Sequence, residues 1–213
     1  MTDNWSLMTE KTTIFVVDDD ASFLKAVSRL LRASGYVVQT FASAADFLAA
    51  LAPQATGCVV VDLRMPGQSG RDLQSVLARA DNPLPVIFLT GHGDIPTVTH
   101  AMRDGAVDFL TKPVNKEDLF AAIERALGRD AVERSQRARM RELRDRFDQI
   151  TPREREVLAH VISGKLNKQI ASDLGASERT IKAHRASIMD KLNVDSVAEL
   201  VRLTEQLGIE PLR

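Results

Sequence analysis

Five short apolar segments alternate with helical patterns over residues 14–127. Of all features of the sequence, this alternation restricts the possible folds most. The apolar segments are residues 14–17, 36–40, 58–61, 85–89 and 107–110. Helical spacing of apolar side chains follows each segment, at residues 23–31, 45–51, 73–77, 98–103 and 119–127. Nearly continuous apolar strands that alternate with helices predict a doubly wound parallel sheet with helices on both faces. Ligands of such sheets bind beyond the carboxyl ends of the strands.

The amino-acid composition excludes several other classes of protein. With 44% apolar and 27% charged residues, a chain of 213 residues can build a core and is not largely disordered. No apolar run approaches the roughly 20 residues of a membrane helix, and we expect no secretion signal at the N-terminus. The single cysteine, Cys58, excludes an intramolecular disulfide framework and a cysteine-cluster zinc site. We therefore expect a cytoplasmic protein with no membrane partner.

The net charge of −1 conceals an asymmetry between the two halves of the chain. Residues 1–128 contain 11 basic and 15 acidic residues, whereas residues 129–213 contain 17 basic and 14 acidic residues. Opposite signs in the two halves predict two domains with different partners. The modest excess of positive charge in the second half does not by itself indicate nucleic-acid binding. Whether this half binds nucleic acid must be judged from the positions of its charged residues.

Polar side chains follow the predicted strands where each strand ends. Asp18 and Asp19 follow the first strand, Asp62 follows the third, Thr90 ends the fourth and Lys112 follows the fifth. Three carboxylates at one sheet edge repel each other unless a cation neutralises them, and oxygen ligands favour Mg²⁺. A carboxylate nucleophile, a hard cation, a hydroxyl group and an ammonium group are suited to forming an acyl phosphate.

Residues 12–127 resemble the receiver domain of two-component response regulators. The matching stretches are VVDDD (16–20), VVVDLRMPGQSG (59–70), FLTGHGD (88–94) and GAVDFLTKP (105–113). The resemblance implies a CheY/flavodoxin-like sheet with strand order 2-1-3-4-5. It also implies a cis peptide bond between Lys112 and Pro113.

The same resemblance implies a role for each polar residue at the strand ends. We call Asp18, Asp19 and Asp62 the acidic cluster. Asp62 corresponds to the phosphoacceptor, Thr90 to the switch hydroxyl and Lys112 to the contact with the phosphoryl group. The implied Mg²⁺ ligands are Asp18, Asp19, Asp62 and the backbone carbonyl of Arg64. Phe109 stands where many receivers carry Tyr, so the switch aromatic can rotate with Thr90 but cannot make a hydroxyl hydrogen bond.

A rival chemistry uses the same acidic run. Asp18 and Asp20 also form the D-x-D pattern of haloacid-dehalogenase-type phosphatases, whose nucleophile follows the first strand. Against this reading, Asp20 leads directly into a helix where that family has a flap region, and the downstream acidic pair of that family is missing. Acyl-phosphate labelling that depends on Asp62 distinguishes the two readings.

The second half of the chain is predicted to be helical throughout. Residues 129–149 contain seven Arg, five acidic residues and no Pro or Gly, which favours a charged linker helix that is either a solvated helix with one docking stripe or a dimer contact. Thr151, Pro152 and Glu154 form the pattern of a capping box at the start of a helix. Further helices are predicted at residues 167–174, 178–192 and 196–207.

The helices at 167–174 and 178–192 fit helix-turn-helix geometry. Basic residues occupy the N-terminal half of the second helix, and Ile181, Ile188 and Leu192 form the opposite stripe, which we expect to be buried. The segment LNKQIASDLGASERTIKAHRASIMDKL (166–192), preceded by TPREREVL (151–158), resembles the LuxR-type domain. The DNA contacts that the resemblance implies are Lys168, Arg179, Thr180, Lys182, Ala183, His184, Arg185 and Ala186.

Within that set the implied roles differ. Lys182, Ala183 and Ala186 are expected at base edges, whereas Lys168, Arg179, Thr180 and Arg185 are expected at phosphates, which position the protein without reading sequence. His184 is expected either to contact a phosphate or to pack. The other three histidines have no metal-ligand spacing and are expected in loops or on the surface, and Cys58 is expected in the core.

Both resemblances together indicate the NarL/FixJ subfamily, and GHGDIP (91–96) favours its FixJ branch. We expect an N-terminal extension (1–11, disordered), a receiver domain (12–127), a linker helix (128–149) and a DNA-binding domain (150–213). The expected protein is a transcription regulator, not an enzyme beyond its own phosphoryl transfer and dephosphorylation. Its expected partners are a sensor histidine kinase, promoter DNA, RNA polymerase and a second copy of itself on phosphorylation. An alternative is a DNA-binding regulator whose receiver serves only as a dimerisation module.

Overall fold

The computed structural model describes residues 12–91 and 102–210 and contains one parallel sheet. Its strands are β1 (Thr13–Val17), β2 (Val37–Phe41), β3 (Gly57–Asp62), β4 (Val86–Thr90) and β5 (Asp108–Thr111). Their order in the sheet is β2-β1-β3-β4-β5, and every neighbouring pair is parallel. The predicted doubly wound sheet and its strand order are confirmed.

Helices cover both faces of this sheet. They are α1 (Ala21–Ala33), α2 (Ala44–Ala50), α3 (Gly70–Ala78) and α4 (Lys116–Asp148). Alternate side chains of β1 and β3 point to opposite faces, so Val59 packs with the α2 and α3 side and Val60 with the α1 and α4 side. The predicted extension 1–11 lies outside the described residues, as does most of the predicted helix 98–103.

The strand register brings the polar strand ends to one edge. Asp62 of β3 pairs with Leu89 of β4, and Thr90 pairs with Thr111 of β5, directly before Lys112. The peptide bond between Lys112 and Pro113 is cis, as the resemblance implied.

Helix α4 joins two helices that the sequence pattern separates. One helix of 33 residues, Lys116–Asp148, contains residues 119–127 and all but the last residue of the charged stretch 129–149. Gly128 between them weakens a helix by only about 1 kcal/mol, and no proline interrupts the run. By its internal contacts the chain divides into two compact units after Arg134, within this helix.

The second unit contains four further helices around its own core. They are α5 (Pro152–Ile162), α6 (Asn167–Asp173), α7 (Glu178–Leu192) and α8 (Val197–Gln206). Thr151 caps α5, and its side chain and that of Glu154 form the predicted capping box. Leu143 and Phe147 near the end of α4 pack against this core. Across the ranges 12–91 and 102–210, every helix is too short or too polar to cross a membrane.

Candidate functional site

Three carboxylates meet at the carboxyl edge of the sheet. Asp18 and Asp19 follow β1 and Asp62 ends β3, and one oxygen of each lies within 4.8 Å of the others. Asp18 is fully buried, Asp62 is half-buried and Asp19 is exposed. A cluster of carboxylate oxygens that is open to water on one side suits a hard divalent cation such as Mg²⁺, which retains several water ligands. The convergence predicted from the strand ends is therefore present.

Lys112 bridges two of these carboxylates. Its Nζ donates to Oδ2 of Asp18 at 2.6 Å and to Oδ2 of Asp62 at 2.8 Å. The same ammonium lies 4.5 Å from the centroid of the Phe23 ring, a distance at which the ring face attracts a cation. We call the site formed by Asp18, Asp19, Asp62 and Lys112 the acidic pocket. It contains three carboxylates and one ammonium group, so it retains excess negative charge.

The pKa values of the pair reflect its burial. Burial raises the pKa of Asp18 above its ordinary value, and the hydrogen bond from Lys112 and the backbone N–H of Asp20 oppose that rise only in part. Burial alone would lower the pKa of Lys112, but its hydrogen bonds to Asp18 and Asp62 outweigh this effect and the pKa is raised. A divalent cation beside Asp18 would relieve the cost of its buried charge.

The remaining candidates of the first unit lie on β4, on β5 or shortly after β3. Thr90 is 2% exposed at the end of β4, and its hydroxyl group donates to the carbonyl of Gly91. The backbone N–H of Arg64 donates to Oδ1 of Asp62 at 3.3 Å. Phe109 on edge strand β5 is 42% exposed, so its side chain is partly accessible to solvent. The GHGDIP stretch extends beyond the described residues after Gly91.

Asp20 has a structural role next to the pocket. It is the N-cap of α1, and its Oδ1 accepts hydrogen bonds from the N–H groups of Ser22 and Phe23. Helix α1 thus begins immediately after the acidic run. This local structure leaves no room for the flap region that the rival phosphatase reading requires after its nucleophile.

The candidate DNA-contacting residues form an exposed face of the second unit. Six of them are exposed, whereas His184 and Arg185 are partly buried. The exposed members are Lys168, Arg179, Thr180, Lys182, Ala183 and Ala186. On the opposite side of α7, Ile181, Ile188 and Leu192 are fully buried, which confirms the predicted stripe. Burial of one side of α7 leaves its cationic N-terminal half in solvent.

Two of these candidates already make hydrogen bonds within the protein. The hydroxyl group of Thr180 lies 2.8 Å from that of Ser177, which caps α7. Nη1 of Arg185 donates to Oδ1 of Asn167 at 2.8 Å, at the first residue of α6. The Arg185 guanidinium therefore joins the two helices of the helix-turn-helix and has further N–H groups for a second partner.

Glu154 holds α7 in place, a role that its sequence pattern does not reveal. Besides the N–H of Thr151, its carboxylate accepts hydrogen bonds from Ser187 and Lys191, both at 2.6 Å. Burial opposes its charge, but these hydrogen bonds prevail and lower the pKa of Glu154 to about 2. The capping-box pattern indicates only the local half of this arrangement, because Ser187 and Lys191 are 33 and 37 residues away.

The remaining single residues are mostly structural. Cys58 is fully buried in β3, as predicted, and burial raises the pKa of its thiol to about 12. The expected surface or loop position is wrong for His160, which lies on α5 with a side chain only 12% exposed, next to Asp173. Oδ2 of Asp173, the last residue of α6, lies 3.8 Å from Nδ1 of His160, so this ring lies against α6. His92 and His100 lie outside the described residues.

A doubly wound sheet with an acidic pocket, followed by a helix-turn-helix unit, defines a signalling regulator that couples a receiver domain to a DNA-binding domain. Two family models match the chain, the response regulator receiver domain over residues 14–124 and the LuxR family of bacterial regulatory proteins over residues 148–204. The chain belongs to the two-component response regulators of the NarL/FixJ subfamily, with a receiver and a LuxR-type DNA-binding domain.

Individual relatives match almost the whole chain. Response regulator protein TodT of Pseudomonas putida is 44% identical over 196 residues, which cover 92% of this chain and 86% of the relative. Transcriptional regulatory protein FixJ of Azorhizobium caulinodans is 41% identical over 204 residues, 96% of this chain and 97% of the relative. The solved structure of response regulator StyR is 47% identical, has a TM-score of 0.81 and covers 92% of this chain and 99% of that one. These relatives are regulators rather than enzymes.

Proposed function

We propose that Asp62 accepts a phosphoryl group from a sensor histidine kinase and that this modification controls binding to promoter DNA. The observation that carries the proposal is the bridge from Lys112 to Asp18 and Asp62 at the carboxyl edge of the sheet. The bridge supports the proposal because it joins the proposed nucleophile, Asp62, to an ammonium group and to a second carboxylate, with Asp19 close to both.

The proposed phosphoryl transfer starts from the contact between Asp62 and Lys112. An oxygen of Asp62 attacks the phosphorus atom, a new O–P bond forms, and the P–N bond to the histidine of the kinase breaks as that imidazole leaves. Lys112 exchanges one carboxylate contact for a phosphoryl oxygen, and Thr90 turns its hydroxyl group toward another. Phe109 is the aromatic residue that moves with Thr90.

Bound Mg²⁺ would supply positive charge beside the transferring phosphoryl group. Its proposed ligands are Asp18, Asp19, Asp62 and the backbone carbonyl of Arg64. Asp19 is exposed and therefore accessible to a metal ion that enters from solvent, whereas buried Asp18 is already oriented by Lys112.

In the second unit, Lys182, Ala183 and Ala186 are the proposed contacts to bases. Lys168, Arg179, Thr180 and Arg185 are the proposed contacts to phosphates, and His184 is either a phosphate contact or a packing residue. Exposure of the N-terminal half of α7 supports this assignment, because recognition helices enter the major groove through that end.

At the level of the whole protein, phosphorylation is proposed to favour a homodimer that presents two recognition helices to promoter DNA and RNA polymerase in the cytoplasm. The proposed domain limits are 12–127 for the receiver, 128–149 for the linker and 150–213 for the DNA-binding domain. As a population shift, the phosphorylated chain must prefer the active state by a few kcal/mol.

The test compares Asp62→Asn with Asp81→Asn, a substitution of an exposed aspartate that is remote from the acidic cluster. Asp62→Asn is expected to abolish labelling by acetyl phosphate and dimerisation induced by beryllofluoride, whereas Asp81→Asn retains both. Dimerisation and DNA binding of the wild type that do not respond to beryllofluoride would support the alternative, in which the receiver is only a dimerisation module. Undiminished labelling of Asp62→Asn would refute the mechanism.

A further inference from the structure

Three carboxylates are almost completely buried in the described part of the chain. Asp18, Asp130 and Glu154 are 0%, 1% and 4% exposed. Asp18 belongs to the acidic pocket, and Glu154 positions the recognition helix. Asp130 takes part in neither site, although a buried carboxylate destabilises a protein unless hydrogen bonds and a counter-charge compensate it.

Asp130 connects α4 to the beginning of β3. Its Oδ2 accepts a hydrogen bond of 3.1 Å from the backbone N–H of Gly57, which is 73 residues away in the chain. The same oxygen lies 3.0 Å from Nε of Arg134, one helical turn further along α4. Asp130 is therefore the last buried side chain of α4 before the boundary between the two units after Arg134.

Gly57 provides a fixed point for this contact. Its φ of +134° lies in a region that L side chains rarely adopt, and a Cβ at this position would lie 1.8 Å from the carbonyl oxygen of Thr13. Only glycine allows β3 to approach β1 so closely here. The first residue of β3 is thus held between β1 on one side and Asp130 of α4 on the other.

The other end of the same strand carries the phosphoacceptor. β3 runs from Gly57 to Asp62, about 17 Å at 3.3 Å per residue, and its residues between these ends are fully buried. One rigid strand therefore has Asp62 at its carboxyl end and the Asp130 contact at its amino end. Beyond Asp130, the same helix continues out of the receiver unit to Asp148.

We infer that Asp130 is a positioning residue that couples the phosphoacceptor strand to the helix leading to the DNA-binding unit, through its hydrogen bond to Gly57. This inference rests on the proposed function, since it concerns how the state of Asp62 is transmitted. We expect the geometry of the contact between Asp130 and Gly57 to differ between the inactive and active states. Phosphorylation at one end of β3 and the Asp130 contact at the other end then both shift the equilibrium between these two states.

The test measures a coupling ratio, defined as the Kd for promoter DNA without beryllofluoride divided by the Kd with it. The variant is the double substitution Asp130→Leu/Arg134→Met in the full-length chain. Only Asp130 of this pair is buried, since the side chain of Arg134 is 35% exposed. Apolar residues often replace buried charged groups with little loss of stability, and the lost acceptor of the Gly57 N–H costs a single hydrogen bond, so this variant is expected to fold. The matched control is Glu142→Leu/Arg146→Met, which removes an exposed ion pair with the same spacing on the same helix.

We expect the coupling ratio of the Asp130 variant to fall about threefold or more, with acetyl-phosphate labelling of Asp62 unchanged. The control should keep the wild-type ratio. A purely structural role would weaken DNA binding with and without beryllofluoride alike and leave the ratio unchanged, and that result would overturn the inference. An equal fall in the control would overturn it too, by attributing the effect to the charge of α4 in general.

Two further measurements make the test independent of how well the double variant folds. Asp130→Asn keeps an oxygen acceptor for Gly57, so it should retain most of the ratio; a loss as large as in the double variant would contradict the assignment to this hydrogen bond. In the wild type, hydrogen exchange at the Gly57 amide should change on addition of beryllofluoride, and an identical rate in both states would overturn the inference. If the Kd of the wild type for promoter DNA is the same with and without beryllofluoride, the proposed function itself is refuted.

Discussion

The ammonium group of Lys191 lies 2.6 Å from Oε2 of Glu154, and this contact joins the C-terminal half of α7 to the first turn of α5. Glu154 is buried, and Ser187, one turn before Lys191, donates to the other oxygen of the same carboxylate. The packing of the candidate recognition helix against α5 thus involves a carboxylate that lies 33 and 37 residues before its two partners in the chain.

Replacement of Glu154 should loosen this unit. Glu154→Gln removes the charge that Lys191 neutralises, so we expect the free energy of local unfolding to fall by about 1–3 kcal/mol. Amide hydrogen exchange of α5 and α7 in the intact chain measures this change. Glu156→Gln, which removes the carboxylate of an exposed ion pair with Arg153, should change it by less than about 0.5 kcal/mol. If both substitutions lower the free energy of local unfolding equally, the burial of Glu154 does not strengthen its contacts.

The low pKa of Glu154 predicts a pH dependence of the same unit. Because the pKa lies at about 2 in the folded chain and at 4.5 in the unfolded chain, the stabilisation is complete above pH 4.5. It is lost progressively as the pH falls from 4.5 toward 2, where the folded carboxylate also takes up a proton. The difference in unfolding free energy between wild type and Glu154→Gln should therefore shrink over this range. A difference that is constant down to pH 2 would contradict the assigned cause.

Magnesium should stabilise the receiver unit through the acidic pocket. A ligand that binds only the folded state at ten times its Kd adds about 1.4 kcal/mol to the free energy of unfolding. We expect a corresponding rise in the thermal midpoint of the wild type and a much smaller rise for Asp19→Asn. Asp19→Asn removes one of three mutually repelling carboxylates, so its midpoint without Mg²⁺ should equal or exceed that of the wild type. Calorimetry with and without Mg²⁺ decides, and an undiminished rise for Asp19→Asn would remove Asp19 from the ligand set.

Lys182 is predicted to read a base. Lys182→Ala should weaken binding to promoter DNA by about 1–3 kcal/mol and should weaken binding to random DNA much less. Competition binding with both DNAs at one salt concentration measures the two losses, with Arg202→Ala on α8 as a control outside the candidate set. An equal loss on random DNA would make Lys182 a phosphate contact.

Arg179 is predicted to contact a phosphate. Arg179→Ala should therefore weaken promoter and random DNA alike, and the slope of log K against log salt concentration should become shallower by about 0.9. Titrations at several salt concentrations provide the slope. If the slope of the variant equals that of the wild type, Arg179 does not neutralise a phosphate.

Much of the acidic pocket follows from local sequence alone. Short, nearly continuous apolar runs between helical patterns predict buried parallel strands, and such strands place their carboxyl ends at one edge of the sheet. The meeting of Asp18, Asp62 and Lys112 is therefore predictable from the sequence. The bridging position of the Lys112 ammonium over Phe23 is not predictable, because it depends on where α1 packs.

The limits of the helices also differ in how well the sequence predicts them. The start of α5 at Pro152 is predictable because a capping box is a contact between residues three positions apart. The continuity of α4 is not, because one glycine and a run of charges weaken a helix without ending it. The partly buried position of His160 likewise depends on the side chains that surround α5.

The sequence by itself therefore determined the doubly wound sheet, the helix-turn-helix and the set of polar residues at the strand ends, because each arises from periodicity or from contacts between near neighbours in the chain. Only the tertiary structure decided the partners of the buried charges. Glu154 with Lys191 and Asp130 with Gly57 are contacts across 37 and 73 residues. No local pattern encodes such pairs, because their geometry is set by how separate helices and strands pack against each other.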